Sequence, residues 1–210
     1  MKVAVGINAK NKNDFLNQLE KAKIFLPQNA ALHIDISQKR FSSINSFFDF
    51  KILKKYSRYF KLEGHLMVPK NKILDKKWFS SPLDVLFIHS SVCPDWEKIL
   101  KSAKQHKKEI GVVFDFDQKE GDIIVPKGIK KILLLSVIPG KSGQKFNSSA
   151  FHAIDFLRKK YPHAIISVDG GINLKIAKKL KNKKINNVVS TSYIWENKNP
   201  TKAYKKLISV

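Results

Sequence analysis

The sequence alternates short apolar runs with longer amphipathic stretches, and that alternation leaves few folds open. Strand-length runs rich in Val, Ile and Leu occupy 2–8, 31–36, 62–68, 85–89, 110–114, 132–138, 164–168 and 187–190. The stretches between them carry apolar residues at three- and four-residue spacing, as in Phe15, Leu19, Ala22 and Phe25, or Phe151, Ile154, Phe156 and Leu157, which is the helix period. Cap-forming residues stand where those helices begin: Asn13 and Asp14, Asp95, Asn147 and Ser148, and Asn173. Near-continuous apolar strands joined by helices imply a parallel sheet buried on both faces. Eight strands close most simply into a barrel, so one α/β domain over 1–210, a (β/α)8 TIM barrel, is expected. Its weakest stretch is 115–130, which leaves little room for a full helix. The alternative is an open doubly wound sheet, but no G-x-G-x-x-G turn follows the first run, which argues against a dinucleotide site.

Charge needs a separate account. Forty Lys and Arg against 17 Asp and Glu leave a formal net charge of +23. Such a field attracts polyanions or concentrates anionic substrates. The cations are almost all lysine, however, with arginine at Arg40, Arg58 and Arg158 alone, and base reading relies on the arginine fork. They are also dispersed in pairs such as Lys54–Lys55, Lys107–Lys108, Lys178–Lys179 and Lys183–Lys184, beside or within expected helices. We therefore expect solvated helix faces and no dedicated nucleic-acid partner. No run approaches the roughly 20 apolar residues that cross a bilayer, and the opening MKVAVGINAKNKNDF turns polar before a signal-peptide core develops, so a soluble, cytoplasmic protein is expected. The lone cysteine, Cys93, has no second thiol to pair with.

In a barrel, active groups sit at the C-terminal ends of strands, so polar residues there carry the information. His33 and Asp35, in LHIDI, are two apart and share one side of an extended strand. His65 follows in GHLMV and Asp169 in SVDGG. A single strand-end histidine is more often structural, and an Asp before two glycines is more often a turn former. The set is what matters, because two imidazoles and two carboxylates at one barrel mouth make a site for Zn²⁺ or a similar divalent ion. The glycine-containing turns IPGKSGQKF and DGGIN each precede a helix start, where backbone amides can hold a phosphate, and Ser190, Thr191 and Ser192 add hydroxyls close by.

These motifs resemble those of the ribulose-phosphate 3-epimerase family. LHIDI is similar to its second-strand H-x-D, GHLMV to its third-strand H-L-M-V, SVIPGKSGQKF to its V-x-P-G-x-x-G-Q-x-F and SVDGGIN to its V-D-G-G-I-N, in order across nearly the whole chain. The resemblance implies interconversion of D-ribulose 5-phosphate and D-xylulose 5-phosphate, with His33, Asp35, His65 and Asp169 holding one catalytic divalent metal ion. Zn²⁺ is the first expectation, and Fe²⁺, Mn²⁺ and Co²⁺ are alternatives. Asp35 and Asp169 would double as acid and base. Phosphate would be held by Gly140, Lys141, Ser142, Gly143, Gly170, Gly171, Thr191 and Ser192, and a homo-oligomer, dimer or larger, is implied. The chemistry agrees: a hydrogen beside a ketone is a poor acid, a Lewis acid stabilises the enediolate left by its removal, and inversion needs one proton group on each face.

The pattern is not followed throughout. Gly6 stands where the family has a first-strand serine, Ser37, Gln38 and Lys39 where it has M-D-G, and Leu135 where it has a methionine. Lys141 and Ser142 replace Phe-Gly, Thr191 replaces a glycine, and the acidic residue expected two places after His89 is Ser91. Those departures concern the pocket wall and leave open an epimerase of another ketose phosphate, such as a hexulose 6-phosphate. A non-catalytic basic barrel that binds RNA or another polyanion is the alternative outside enzymology.

Overall fold

The computed structural model describes residues 1–140 and 143–210. Eight strands, β1 (Lys2–Ile7), β2 (Ala30–Ser37), β3 (Phe60–Met67), β4 (Val85–His89), β5 (Glu109–Asp115), β6 (Lys131–Leu135), β7 (Ile165–Asp169) and β8 (Asn187–Ser190), pair in sequence order. Every ladder is parallel, and β8 pairs with β1 through Lys2↔Asn187 to Val5↔Ser190, so the sheet is a closed barrel. The expected (β/α)8 fold is the observed one.

Alternation along each strand divides the apolar residues into two cores. Val5, Leu32, Ile34, Leu62, Leu86, Val112, Leu134, Ile166 and Val188 face outward and join Phe15, Leu19, Leu53, Trp78, Ile99, Ile154 and Leu180 in one large cluster. Ala4, Val85, Phe87, Val113, Leu133, Leu135, Val137 and Val189 form a smaller cluster inside the barrel. Gly111 on β5 is small because Phe87 on β4 lies over it: a Cβ there would run into the phenyl ring. That ring also packs on His33, with centroids 5.6 Å apart, so Phe87 is part of the floor under the polar residues of the mouth.

Helices α1 (Lys12–Phe25), α2 (Phe50–Tyr56), α3 (Lys76–Phe79), α4 (Trp96–Gln105), α5 (Ala150–Lys160), α6 (Leu174–Asn182), α7 (Ser192–Trp195) and α8 (Pro200–Ile208) supply the outer layer among the described residues. Caps at Asp95 and Asn173 are as expected, accepting from the amides of Lys98 and Ile176. Helix α1 begins earlier than the spacing suggests. Its cap is Asn11, which accepts from the Asp14 amide, and Asp14 reaches back to the Lys10 amide at 2.9 Å, a reciprocal arrangement that satisfies two end groups. At the start of helix α5 the residue before the first turn is Ser149, whose side chain makes no cap bond; the expected Asn147 accepts from the Ser149 amide at 2.9 Å. The 115–130 stretch contains a single 3-10 turn, Glu120–Asp122, and is closed over the barrel by buried Ile123, whose carbonyl accepts from Tyr161 at 3.1 Å.

Lysines of the paired runs coat the outside: Lys54, Lys55, Lys178, Lys179 and Lys184 are exposed. Lys108 is an exception, since its ammonium donates to the carbonyls of Ser81 (2.7 Å) and Leu83 (2.6 Å). Among the described residues, no helix is long and apolar enough to cross a membrane. The expected effect of Phe87→Ala is a loss of about 3–5 kcal/mol of stability, the usual range for emptying an aromatic site in a core, measured by urea unfolding.

Candidate active site

Three of the inward rows, those of β2, β3 and β7, carry the four predicted residues near their C-terminal ends. Register sets Asp35 of β2 beside His65 of β3, and Leu135 of β6 beside Asp169 of β7. His33 lies one inward step deeper on β2 and is fully buried, as is His65. One ligand atom from each of His33, Asp35, His65 and Asp169 lies within 4.8 Å of the others. All four residues predicted from the strand ends are therefore brought to one point.

The contacts within this cluster are long and unsatisfied. His65 Nδ1 is 3.3 Å from Asp35 Oδ1 and 4.0 Å from Asp169 Oδ2, and His33 Nε2 is 3.9 Å from Asp35 Oδ1. His33 Nε2, His65 Nδ1 and Asp35 Oδ1 are buried without a hydrogen-bond partner. Buried polar atoms that face one another without bonding need something between them. Two imidazole nitrogens and two carboxylates at this spacing are a donor set suited to a divalent cation, so the residues fit the metal that the motifs imply.

The electrostatics carry the same tension. Burial raises the Asp35 carboxyl from 3.8 to about 6, with His33 and a hydrogen bond from Asn8 acting in the other direction. Burial raises Asp169 to about 6 as well, and the neighbouring Asp35 charge adds to the rise. His65 is held well below its usual range by burial and then by His89. Burial also pushes His33 down, but its bond to Glu63 and the charges of Asp169 and Asp35 outweigh that, and the net direction is upward.

Above the cluster, a cavity opens between the loops. Asp35, His65 and Asp169 line its floor, and Gly140, Gly143, Gly170, Gly171, Thr191 and Ser192 line one side. Every described residue of the expected phosphate site therefore borders the same space; Lys141 and Ser142 lie outside the described residues. Gly170 and Gly171 adopt φ +105° and +61°, and a Cβ on Gly171 would meet the Phe146 backbone, so the two βα loops touch through bare main chain. Ser136 ties them together, its hydroxyl donating to the carbonyls of Asp169 and Gly170 at 2.7 Å each.

The departures in the wall sort themselves by position. Leu135 and Thr191 line the cavity. Ser37, Gln38 and Lys39 do not; they border a separate surface groove with Arg40 and Asn45, and Ser37 is buried against Met67 sulfur at 3.6 Å. Gly6 and Thr191 are one feature rather than two, because a Cβ on Gly6 would overlap the Thr191 hydroxyl. A side chain lost from β1 leaves the space that the threonine after β8 fills, so a hydroxyl remains at this part of the mouth.

Residues absent from the strand-end reading also appear. Asn8 and Met67 line the cavity, and Ser136 bridges two loops. Asn8 continues the inward row of Ala4 and Gly6, so alternation along β1 was the available signal. Nothing local marks Ser136, whose partners lie 33 and 34 residues away.

A family model described as the ribulose-phosphate 3 epimerase family matches residues 2–195. Ribulose-phosphate 3-epimerase of Schizosaccharomyces pombe is 24% identical over 175 residues, covering 80% of this chain and 76% of that protein. The protein of the same name from Helicobacter pylori strain J99 is 29% identical over 154 residues, covering 71% of each. Among solved structures, 3-hexulose-6-phosphate synthase from Salmonella typhimurium superposes with a TM-score of 0.70 at 15% identity, over 100% of this chain and 97% of that one, a likeness of fold.

Two measurements follow from the geometry. Carboxyls raised in the folded state destabilise it as pH rises from their unfolded value, near 3.8, through about 6. In chelator-treated protein, Asp35→Asn should therefore raise Tm at pH 7 and have little effect at pH 4, while abolishing any Tm increase on adding Zn²⁺; differential scanning fluorimetry reads both. In the second, Gly6→Ser should unfold or distort the mouth when Thr191 is present, and Gly6→Ser with Thr191→Gly should recover most of the lost Tm, giving a coupling energy of about 0.5–3 kcal/mol in a double-mutant cycle.

Proposed function

Because the chain belongs to the ribulose-phosphate 3-epimerase family, we propose that it is an isomerase that inverts C3 of D-ribulose 5-phosphate to give D-xylulose 5-phosphate, and the reverse, at the His33, Asp35, His65 and Asp169 cluster. The observation that carries this reading is the meeting of two carboxylates and two imidazoles at the floor of a cavity whose side is glycine backbone.

A divalent ion, Zn²⁺ or alternatively Fe²⁺, Mn²⁺ or Co²⁺, held by these four residues would supply Lewis-acid polarisation of the ketone oxygen. The rest is the work of side chains. One of Asp35 and Asp169 removes the C3 proton from one face of the sugar, and the other delivers a proton to the opposite face. That requires one carboxyl to start ionised and the other protonated. Proximity supports such a division, since the charge of Asp35 makes Asp169 harder to ionise. Met67 and Leu135 give the cavity an apolar wall that limits water around the reacting carbon.

Phosphate binding is assigned to the loops after β6, β7 and β8. Gly140, Gly143, Gly170 and Gly171 offer main-chain amides without side-chain bulk, and Thr191 and Ser192 offer hydroxyls; Lys141 and Ser142, between Gly140 and Gly143 in sequence, are included in the reading. The reading includes a cytoplasmic homo-oligomer without a nucleic-acid partner, supported by the family and by lysines scattered over the helices.

The test is a coupled assay with ribulose 5-phosphate on protein analysed for metal, together with exchange of the C3 hydrogen with solvent. Wild-type protein should show both. Asp35→Asn and Asp169→Asn should each lose about 10²–10⁴-fold in turnover, and undiminished turnover in either would refute its role. Turnover of a hexulose 6-phosphate alone would move the substrate, and RNA binding that survives physiological salt in a protein that takes up no metal would replace the enzyme reading.

A further inference from the structure

Three titratable groups have no part in the chemistry above: partly buried Glu63 on β3, buried His89 on β4 and partly buried Asp115 at the end of β5. We propose that they are positioning residues, which turn one bare ring nitrogen of His33 and one of His65 toward the cation. The proposal rests on the metal reading given above, and it assigns each histidine its own support.

Register places Glu63 beside His33, and Glu63 Oε2 lies 3.4 Å from His33 Nδ1. An ionised carboxylate only accepts, so the hydrogen must be on Nδ1; in a neutral imidazole that leaves Nε2 as a bare lone pair. Nε2 is the atom that faces Asp35 without a partner. Glu63 is not explained as a lysine's counter-ion. Lys61 and Lys131, which line the same cavity at the closed end of the barrel, both pair with Glu109, at 2.7 and 3.4 Å.

The second support reaches its histidine from the other side. Asp115 Oδ1 is 3.7 Å from His89 Nδ1, too long for a hydrogen bond, and both atoms are buried without another partner, so the nearby carboxylate favours the hydrogen on Nδ1 by its charge. His89 Nε2 is then an acceptor, and it stands 2.9 Å from His65 Nε2, which must donate. The bare nitrogen of His65 is Nδ1, again the atom that faces Asp35 without a partner. Rings of His65 and His89 stack at 16° and 5.0 Å, and Phe41 packs on the far partner at 4.7 Å, so the relay is held in place by packing. Two separate chains thus end on opposite nitrogens, Nε2 in one ring and Nδ1 in the other, and both chains leave the lone pair on the side of the carboxylates. Ligand histidines whose second nitrogen donates to a carboxylate, directly or through a relay, are fixed in ring orientation and made more basic.

The experiment uses ¹⁵N-histidine-labelled full-length wild type, Glu63→Gln, Glu63→Ala and Asp115→Asn. Zn²⁺ affinity is measured by competition with a chromophoric chelator, and ring tautomers are read from two-bond ¹H–¹⁵N spectra with and without Zn²⁺. In the wild type, His33 should carry its hydrogen on Nδ1 and His65 on Nε2, even before metal is added. Glu63→Gln and Asp115→Asn, which keep the side-chain volume, should raise the Zn²⁺ Kd by about 10–100-fold, and Glu63→Ala by at least as much. The Glu63 variants should disturb the His33 ring signals alone, and Asp115→Asn those of His89 and His65 alone. Unchanged Kd and ring signals in Glu63→Gln and Asp115→Asn would overturn the proposal while a metal-binding wild type leaves the proposed function standing. An affinity loss with both histidines disturbed alike in every variant would mark a purely structural role and also overturn it. A wild type that binds no Zn²⁺ yet shows the predicted tautomers would instead fail the metal reading on which the proposal rests.

Discussion

Closing eight parallel strands on one another is the constraint from which the rest of this structure follows. Parallel strands all end at the same rim, so the inward side chains near their C-terminal ends have nowhere to go but toward the axis. His33 and Asp35 on β2, His65 on β3 and Asp169 on β7 are separated by up to 136 residues in sequence, and closure alone brings their ligand atoms within 4.8 Å. The same closure pairs β8 with β1 and leaves no sheet edge to fray.

Burial then sets the chemistry. Carboxylates and imidazoles inside a barrel lose their hydration, and a group that cannot find a partner there is costly. The interior manages this by grading its contents along the axis. Phe87 and its neighbours pack the middle tightly, ion pairs among Lys61, Glu109 and Lys131 close the far end, and the polar atoms left unsatisfied inside the barrel are gathered at the mouth. Unsatisfied atoms concentrated at one place are a strain on the fold by itself and a binding site when a cation arrives. Asp35 and Asp169 illustrate the point: the burial that raises both carboxyls to about 6 is a penalty for the bare protein, and a cation between them would offset it.

Two residues of the wall around this floor depend on each other. Glycine on β1 and threonine after β8 share one small volume, so neither can be judged without the other. Gln38 and Lys39, which stand out in sequence beside the H-x-D pair, turn away into a different groove. The number of departures in the motifs therefore overstates the change in the cavity itself.

Sequence alone determined the alternation of strands and helices, hence the barrel, because burial on both faces of a parallel sheet writes itself as continuous apolar runs of strand length. It also determined the four ligand candidates, since a polar residue at the end of such a run is conspicuous against its surroundings. Helix starts were legible only to within a residue or two, because Asn11, Asn13 and Asp14 are all cap-forming residues and only geometry chooses which one bonds. Tertiary structure alone decided the supports: Glu63 and His89 meet the ligand histidines, and Asp115 faces His89, across strand neighbours whose register no local pattern records. It alone decided too that Thr191 occupies the space above Gly6. Contacts between residues distant in the chain depend on how strands are staggered around the barrel, and that stagger is a property of the closed sheet, not of any one strand.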